Sequence, residues 1–165
     1  MPKKKGFTLV ELIVVILLVG IMASYAASRY LGKGSFSAYT YSEAVVSVIR
    51  QVQVNRMQSN VEDPEGNSYF TLYIKSGDFN ARPPILPCVG SKYACDNQED
   101  ASRSDSVLLD ESSGLIFSAS RPSVEFDLLG NPVGGVLEIN IIEGGSTIIQ
   151  VCINSQGYVY TGGCS

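Results

Sequence analysis

Phe7-Thr8-Leu9-Val10-Glu11-Leu12-Ile13-Val14-Val15-Ile16-Leu17-Leu18-Val19-Gly20-Ile21-Met22-Ala23-Ser24-Tyr25-Ala26-Ala27-Ser28 contains a single charged residue, Glu11. Read as a helix rising about 1.5 Å per residue, the stretch crosses the roughly 30 Å hydrocarbon layer of a bilayer. Lys3, Lys4 and Lys5 precede it and hold the amino terminus in the cytoplasm, so the chain beyond Arg29 faces outward. No other part of the sequence stays apolar for this length, and one span is expected. The sequence therefore divides into a basic leader at 1–6, a spanning helix at 7–30 and an extracytoplasmic head at 31–165.

Two plainer readings compete for the same stretch. A cleaved secretory signal peptide has a similar basic start, and Ser24-Tyr25-Ala26 offers small residues for a cut. The apolar run from Leu12 is longer than an ordinary signal core, however, and Glu11 sits within its first turns. A simple membrane anchor gives Glu11 no purpose. A lipoprotein is excluded because no cysteine lies near the segment. A carboxylate inside a membrane helix costs on the order of 3 kcal/mol by insertion scales, so a cation is expected to meet it.

Gly6-Phe7-Thr8-Leu9-Val10-Glu11, behind three lysines and ahead of the apolar helix, resembles the class III leader junction of type IV pilins and pseudopilins. The resemblance implies that a prepilin peptidase cuts after Gly6 and that Phe7, the new amino terminus, is N-methylated. It also implies that Glu11, fifth residue of the mature chain, guides assembly by pairing with a neighbouring subunit's terminal amine. Many relatives carry proline where this chain has Ser28, so Gly20, Gly32 and Gly34 are the positions expected to loosen the helix.

Beyond the Gly32-Lys33-Gly34-Ser35 break, Ala38, Tyr41, Val45, Val48, Ile49 and Val52 recur at helical spacing, and the helix is predicted to stop near Gln58-Ser59-Asn60. Glu43, Arg50, Gln53 and Arg56 fall largely off that face. Strands are predicted at 69–74, 107–109, 115–118, 124–127, 136–142, 147–153 and 158–161, with Gly130-Asn131-Pro132, Glu143–Ser146 and Asn154–Gly157 as turns. The fold class is α+β: a long amino-terminal helix, then an antiparallel meander laid on its amphipathic half. Between Ala81 and Ser106 no pattern is visible, and an irregular insertion is expected. The segments 124–132 and 151–159 resemble the carboxy-terminal pattern of H-type minor pseudopilins and related minor pilins.

Four cysteines (Cys88, Cys95, Cys152, Cys164), all beyond the apolar segment, read as two disulfides in an oxidising compartment, with three connectivities open. The pairing expected is Cys88–Cys95 with Cys152–Cys164. The latter resembles the stapled carboxy-terminal loop of pilins. Without histidine or a Cys-x-x-Cys pair, zinc is disfavoured. Asp96-Asn97-Gln98-Glu99-Asp100 lacks the ligand order of an EF-hand, so a solvated acidic loop is expected there in place of calcium.

Once the lysine leader is removed, nine basic residues face sixteen acidic ones, a balance of −7 that argues against a nucleic-acid surface. No Ser-His or Cys-His pair can form, and no phosphate loop is present, so neither catalysis nor a cofactor is expected. The expected partners are a prepilin peptidase, the inner membrane before assembly, and other pilin or pseudopilin subunits. The readings are a minor subunit of a type IV pilus, with the mannose-sensitive haemagglutinin kind among the candidates, a minor pseudopilin of a type II secretion machine, and a filament-tip adhesin. The chain would end in an extracellular filament or a periplasmic pseudopilus.

Overall fold

The computed structural model describes residues 8–30, 33–61, 67–99 and 103–164. It divides between Lys33 and Gly34 into two compact units. The first holds helix α1, Leu9–Tyr30. Its apolar window, Leu9–Ala26, is long enough to cross a membrane, and none of it is buried within the protein. Leu, Ile and Val side chains all round a helix leave it no polar face to turn to water, so lipid or other helices must cover it.

The second unit begins at Gly34, one residue into α2, Lys33–Met57. Of the break expected at 32–35, Lys33, Gly34 and Ser35 already belong to the helix, and Gly32 lies outside the described residues. The predicted stop holds: Gln58 N–H donates to Val54 O at 2.9 Å, and Ser59 N–H to Arg56 O at 3.1 Å, closing the last turn. Ala38, Val45, Val48, Ile49 and Val52 are all buried, with Tyr41 packed at the edge of the core.

The head contains two antiparallel sheets where the sequence reading anticipates one. The first has the order β3-β2-β1-β5, with β1 Thr71–Lys75, β2 Cys88–Ser91, β3 Ser106–Leu108 and β5 Ser123–Glu125. The second has the order β4-β6-β7-β8, with β4 Leu115–Ala119, β6 Leu137–Glu143, β7 Ser146–Ile153 and β8 Val159–Thr161. The chain changes sheets between β4 and β5. There Pro122 has no N–H for a ladder, but its carbonyl accepts from Ile74 N–H at 2.8 Å. Arg121 fixes the crossing by donating to Val133 O and Gly135 O, each at 2.9 Å. One apolar core joins α2 to both sheets, through Leu72, Ile74 and Val89 on one side and Phe117, Ile139 and Val151 on the other.

Within the stretch read as an irregular insertion, two regular elements appear. Cys88-Val89-Gly90-Ser91 forms β2, wholly buried and paired with both β1 and β3. A short helix α3, Lys92–Asp96, follows directly, with the Ser91 hydroxyl accepting from Ala94 N–H at 3.1 Å as its cap. Four residues containing a glycine give no visible alternation, and only pairing on both edges makes them a strand. Gly90 is required there: a Cβ would lie 2.5 Å from Ser106 Cα.

Candidate functional site

The site begins with how α1 starts. Thr8 precedes the helix, and its hydroxyl accepts the Glu11 N–H at 3.3 Å, while Leu12 N–H donates to Thr8 O at 3.2 Å. Thr8 is thus the cap of α1, and Thr-x-x-Glu is the sequence of a capping box. Glu11 lies in the first turn, where the positive end of the helix dipole favours a negative charge. The same residue is flanked by exposed Leu9, Val10 and Leu12. Among the described residues no ion pair is made by Glu11, so this carboxylate in an uncovered apolar helix is left for a cation from elsewhere. Gly6 and Phe7, the expected cleavage and methylation positions, lie outside the described residues, as do Lys3 to Lys5.

The family model for the prokaryotic N-terminal methylation motif matches residues 1–27. The match lies within the leader and the first helix, and it supports a type IV pilin-like leader. The motif supports a pilin-like or pseudopilin-like structural subunit, matured by a prepilin peptidase, anchored in the membrane and then assembled with similar subunits. No curated protein and no solved structure matches the chain.

The head behind this pilin-like leader is held to α2 by a row of polar side chains. Gln53 and Arg56, placed by the sequence reading largely off the buried face, are only 7% and 3% exposed. Gln53 Nε2 donates to Gly130 O at 2.9 Å and to Gly157 O at 2.8 Å. Arg56 donates from Nε to Phe126 O at 3.0 Å and from Nη1 to Val61 O at 2.6 Å. Arg50 Nη2 reaches Val159 O at 3.0 Å. Carbonyls in turns and on the outer edge of β8 lack a ladder partner, and burying one unpaired costs about 1–3 kcal/mol, so long polar side chains at i, i+3 and i+6 supply the missing donors. The two segments resembling H-type pseudopilins therefore meet on one glutamine.

The structure joins Cys88 to Cys95 and Cys152 to Cys164, with Cα atoms 5.7 and 5.3 Å apart. The first bond ties β2 to α3 inside the sheet, and both its cysteines are fully buried. It therefore belongs to the core and does not staple a surface insertion. The second holds the carboxy-terminal segment back against β7.

Two of the acidic residues of 96–105, Asp96 and Asp105, are paired with cations of the chain. Asp96 pairs with Lys92 and lies 3.6 Å from Lys75, and the Lys92 hydrogen bond holds its carboxyl below the usual value. Asp105 accepts from Arg103 through both oxygens at 2.9 Å and from the Ser91 hydroxyl at 2.6 Å. Burial opposes its ionisation, but these bonds outweigh it and lower its pKa. Among the described residues no group of three or more His, Cys, Asp or Glu side chains is placed to hold a metal, and Asp100 lies outside them.

Proposed function

We propose that the chain is a structural subunit, present in minor numbers, of a bacterial type IV pilus. Its prepilin form stands in the inner membrane through α1 and is cut after Gly6. The methylated Phe7 amine of one subunit then meets Glu11 of its neighbour as α1 leaves lipid for a bundle of like helices. The observation that carries this reading is Glu11 in the capped first turn of an uncovered apolar helix, within a methylation motif. Leaving the bilayer uncompensated would strand a carboxylate in a dry bundle, whereas a terminal amine neutralises it.

A minor pseudopilin of a type II secretion system is the second reading. It is supported by the convergence of the 124–132 and 151–159 segments on Gln53. The same helix chemistry serves both, and they differ in the length and location of the assembled fibre.

The test is amino-terminal sequencing of the chain from membranes and from sheared filaments. N-methylated Phe7 is expected in both, with Gly6→Val leaving an uncut precursor and Glu11→Leu inserting in the membrane but failing to enter filaments. A mature chain starting near Ala27 would mark an ordinary signal peptide and remove the proposal. Recovery of the processed chain only in a short periplasmic assembly would select the pseudopilin reading.

A further inference from the structure

The edge of β8 lies beside α2, and a cleft of about 200 Å³ runs between them, lined by Glu43, Val46 and Arg50 on the helix and by Tyr158, Tyr160 and Thr161 on the strand side. Positions 43, 46 and 50 form one helical stripe, so its carboxylate and its guanidinium are set two turns apart, about 10.5 Å along the axis. Buried Val46 closes the cleft between them. Glu43 is exposed and, among the described residues, makes no hydrogen bond or ion pair. Among the same residues Arg50 uses one of its five N–H donors, from Nη2 to Val159 O at 3.0 Å, and is so fixed in place with donors to spare.

The opposite wall is aromatic. Tyr158 and Tyr160 stack with ring centroids 5.6 Å apart and planes inclined by 23°. Hydrogen bonds set their places: Tyr158 N–H donates to Asn154 Oδ1 at 2.9 Å, and the Tyr160 hydroxyl donates to Gly163 O at 3.4 Å. The turn that delivers them is itself anchored, since Gly157 O accepts from Gln53 at 2.8 Å. Tyr158 nevertheless remains 63% exposed. A cleft whose walls are already held, and on which an open aromatic ring, an unpaired carboxylate and an underused guanidinium converge, has the makeup of a ligand site.

We propose that this cleft binds a single neutral sugar ring, a hexopyranose. Charge narrows the choice: an anion would meet the Glu43 carboxylate and a cation the Arg50 guanidinium, whereas neutral hydroxyls can donate to the first and accept from the second. A sugar ring also carries C–H faces, and such a face lies against the open ring of Tyr158 without stranding a polar group. Size narrows the choice further, because about 200 Å³ falls below the roughly 300–1,000 Å³ of pockets that enclose larger ligands. The occupant is therefore one ring, either free in solution or the terminal residue of a longer glycan. Both present the same hydroxyls and the same C–H face.

The experiment uses the full chain in detergent micelles, titrated with the methyl glycosides of glucose, galactose and mannose and followed by tyrosine fluorescence and saturation-transfer NMR. Saturable binding of at least one glycoside is expected, weakened about tenfold by Glu43→Gln and by Tyr158→Ala. Both positions are exposed, so thermal unfolding should not move. Tyr69→Ala, which removes a stacked, exposed tyrosine elsewhere on the head, should leave binding unchanged. Retention of the chain on beads that carry the same sugar on a spacer would identify a glycan terminus as the ligand, and binding in solution without retention would identify a free sugar. Absence of saturable binding by the folded chain, undiminished affinity in the Glu43 and Tyr158 variants, or preference for a zwitterionic amino acid over every glycoside would overturn the proposal. Such a failure leaves the filament role untouched, because neither α1 nor Glu11 belongs to the cleft.

Discussion

Gly157 packs so closely on Gly130 that a Cβ at 157 would lie 3.0 Å from the Gly130 carbonyl carbon and nearer still to its oxygen. Both residues have positive φ, +79° and +84°, and both carbonyls accept from Gln53. Two turns separated along the chain are thereby held in backbone contact under one amide.

That contact predicts an asymmetry between glycines. Gly157→Ala combines an unfavourable φ with a backbone clash and should destabilise the head by about 2–4 kcal/mol. Gly144 also has positive φ but open space where its Cβ would be, so Gly144→Ala should cost only about 1 kcal/mol. Chemical denaturation of the two variants measures the difference, and equal losses would show that the close approach is unimportant.

Gln53→Leu keeps the volume of the side chain but leaves Gly130 O and Gly157 O without their shared donor. A loss of about 1–3 kcal/mol is expected, carried mainly by the buried Gly130 carbonyl, because the Gly157 carbonyl is only part-buried. Glu43→Leu, an exposed position on the same helix, should be nearly neutral. Amide exchange should show the 127–130 and 154–157 turns loosening together in the Gln53 variant. Loosening of one turn alone would contradict their common anchor.

The disulfides should be similar in worth. Closing loops with separations of 7 and 12 residues restricts the unfolded chain by about 2.5 and 2.9 kcal/mol, too small a difference to rank them. Local burial decides instead. Cys88 and Cys95 are both fully buried, whereas Cys164 is half-buried, so Cys88→Ser should destabilise at least as much as Cys152→Ser. Cys88 and Cys95 lie in the stretch where the sequence shows no pattern, and only folding buries them.

Acid should weaken the β2–α3 region. The Asp105 carboxyl has a lowered pKa in the folded chain, so the unfolded chain binds its proton more readily. Its stabilising contribution is therefore present above the unfolded value of about 4 and is lost as pH falls through the lower folded one. Asp105→Asn should remove part of this acid sensitivity and lower stability at neutral pH, because Arg103 and Ser91 lose their charged acceptor. Denaturation midpoints between neutral pH and pH 2 would reveal it, and identical pH profiles for the two proteins would rule the carboxylate out as a source.

What the sequence by itself determined is local. A run of apolar residues is long enough to cross a membrane whatever follows it, and the Thr8–Glu11 spacing caps a helix within one turn. The apolar stripe of α2 and the alternation of β6, buried at Leu137, Ile139 and Ile141, repeat at the period of their own element. Tertiary structure decided the rest. β2 is a strand only because β1 and β3 flank it, and the split into two sheets follows from β5 pairing with β1 across the Pro122 crossing. The burial of Gln53 depends on carbonyls 77 and 104 residues away, and that of Arg56 on one 70 residues away. A polar residue beside an apolar stripe looks solvated in sequence, because the acceptor that makes its burial tolerable is brought there by the folding of the other elements.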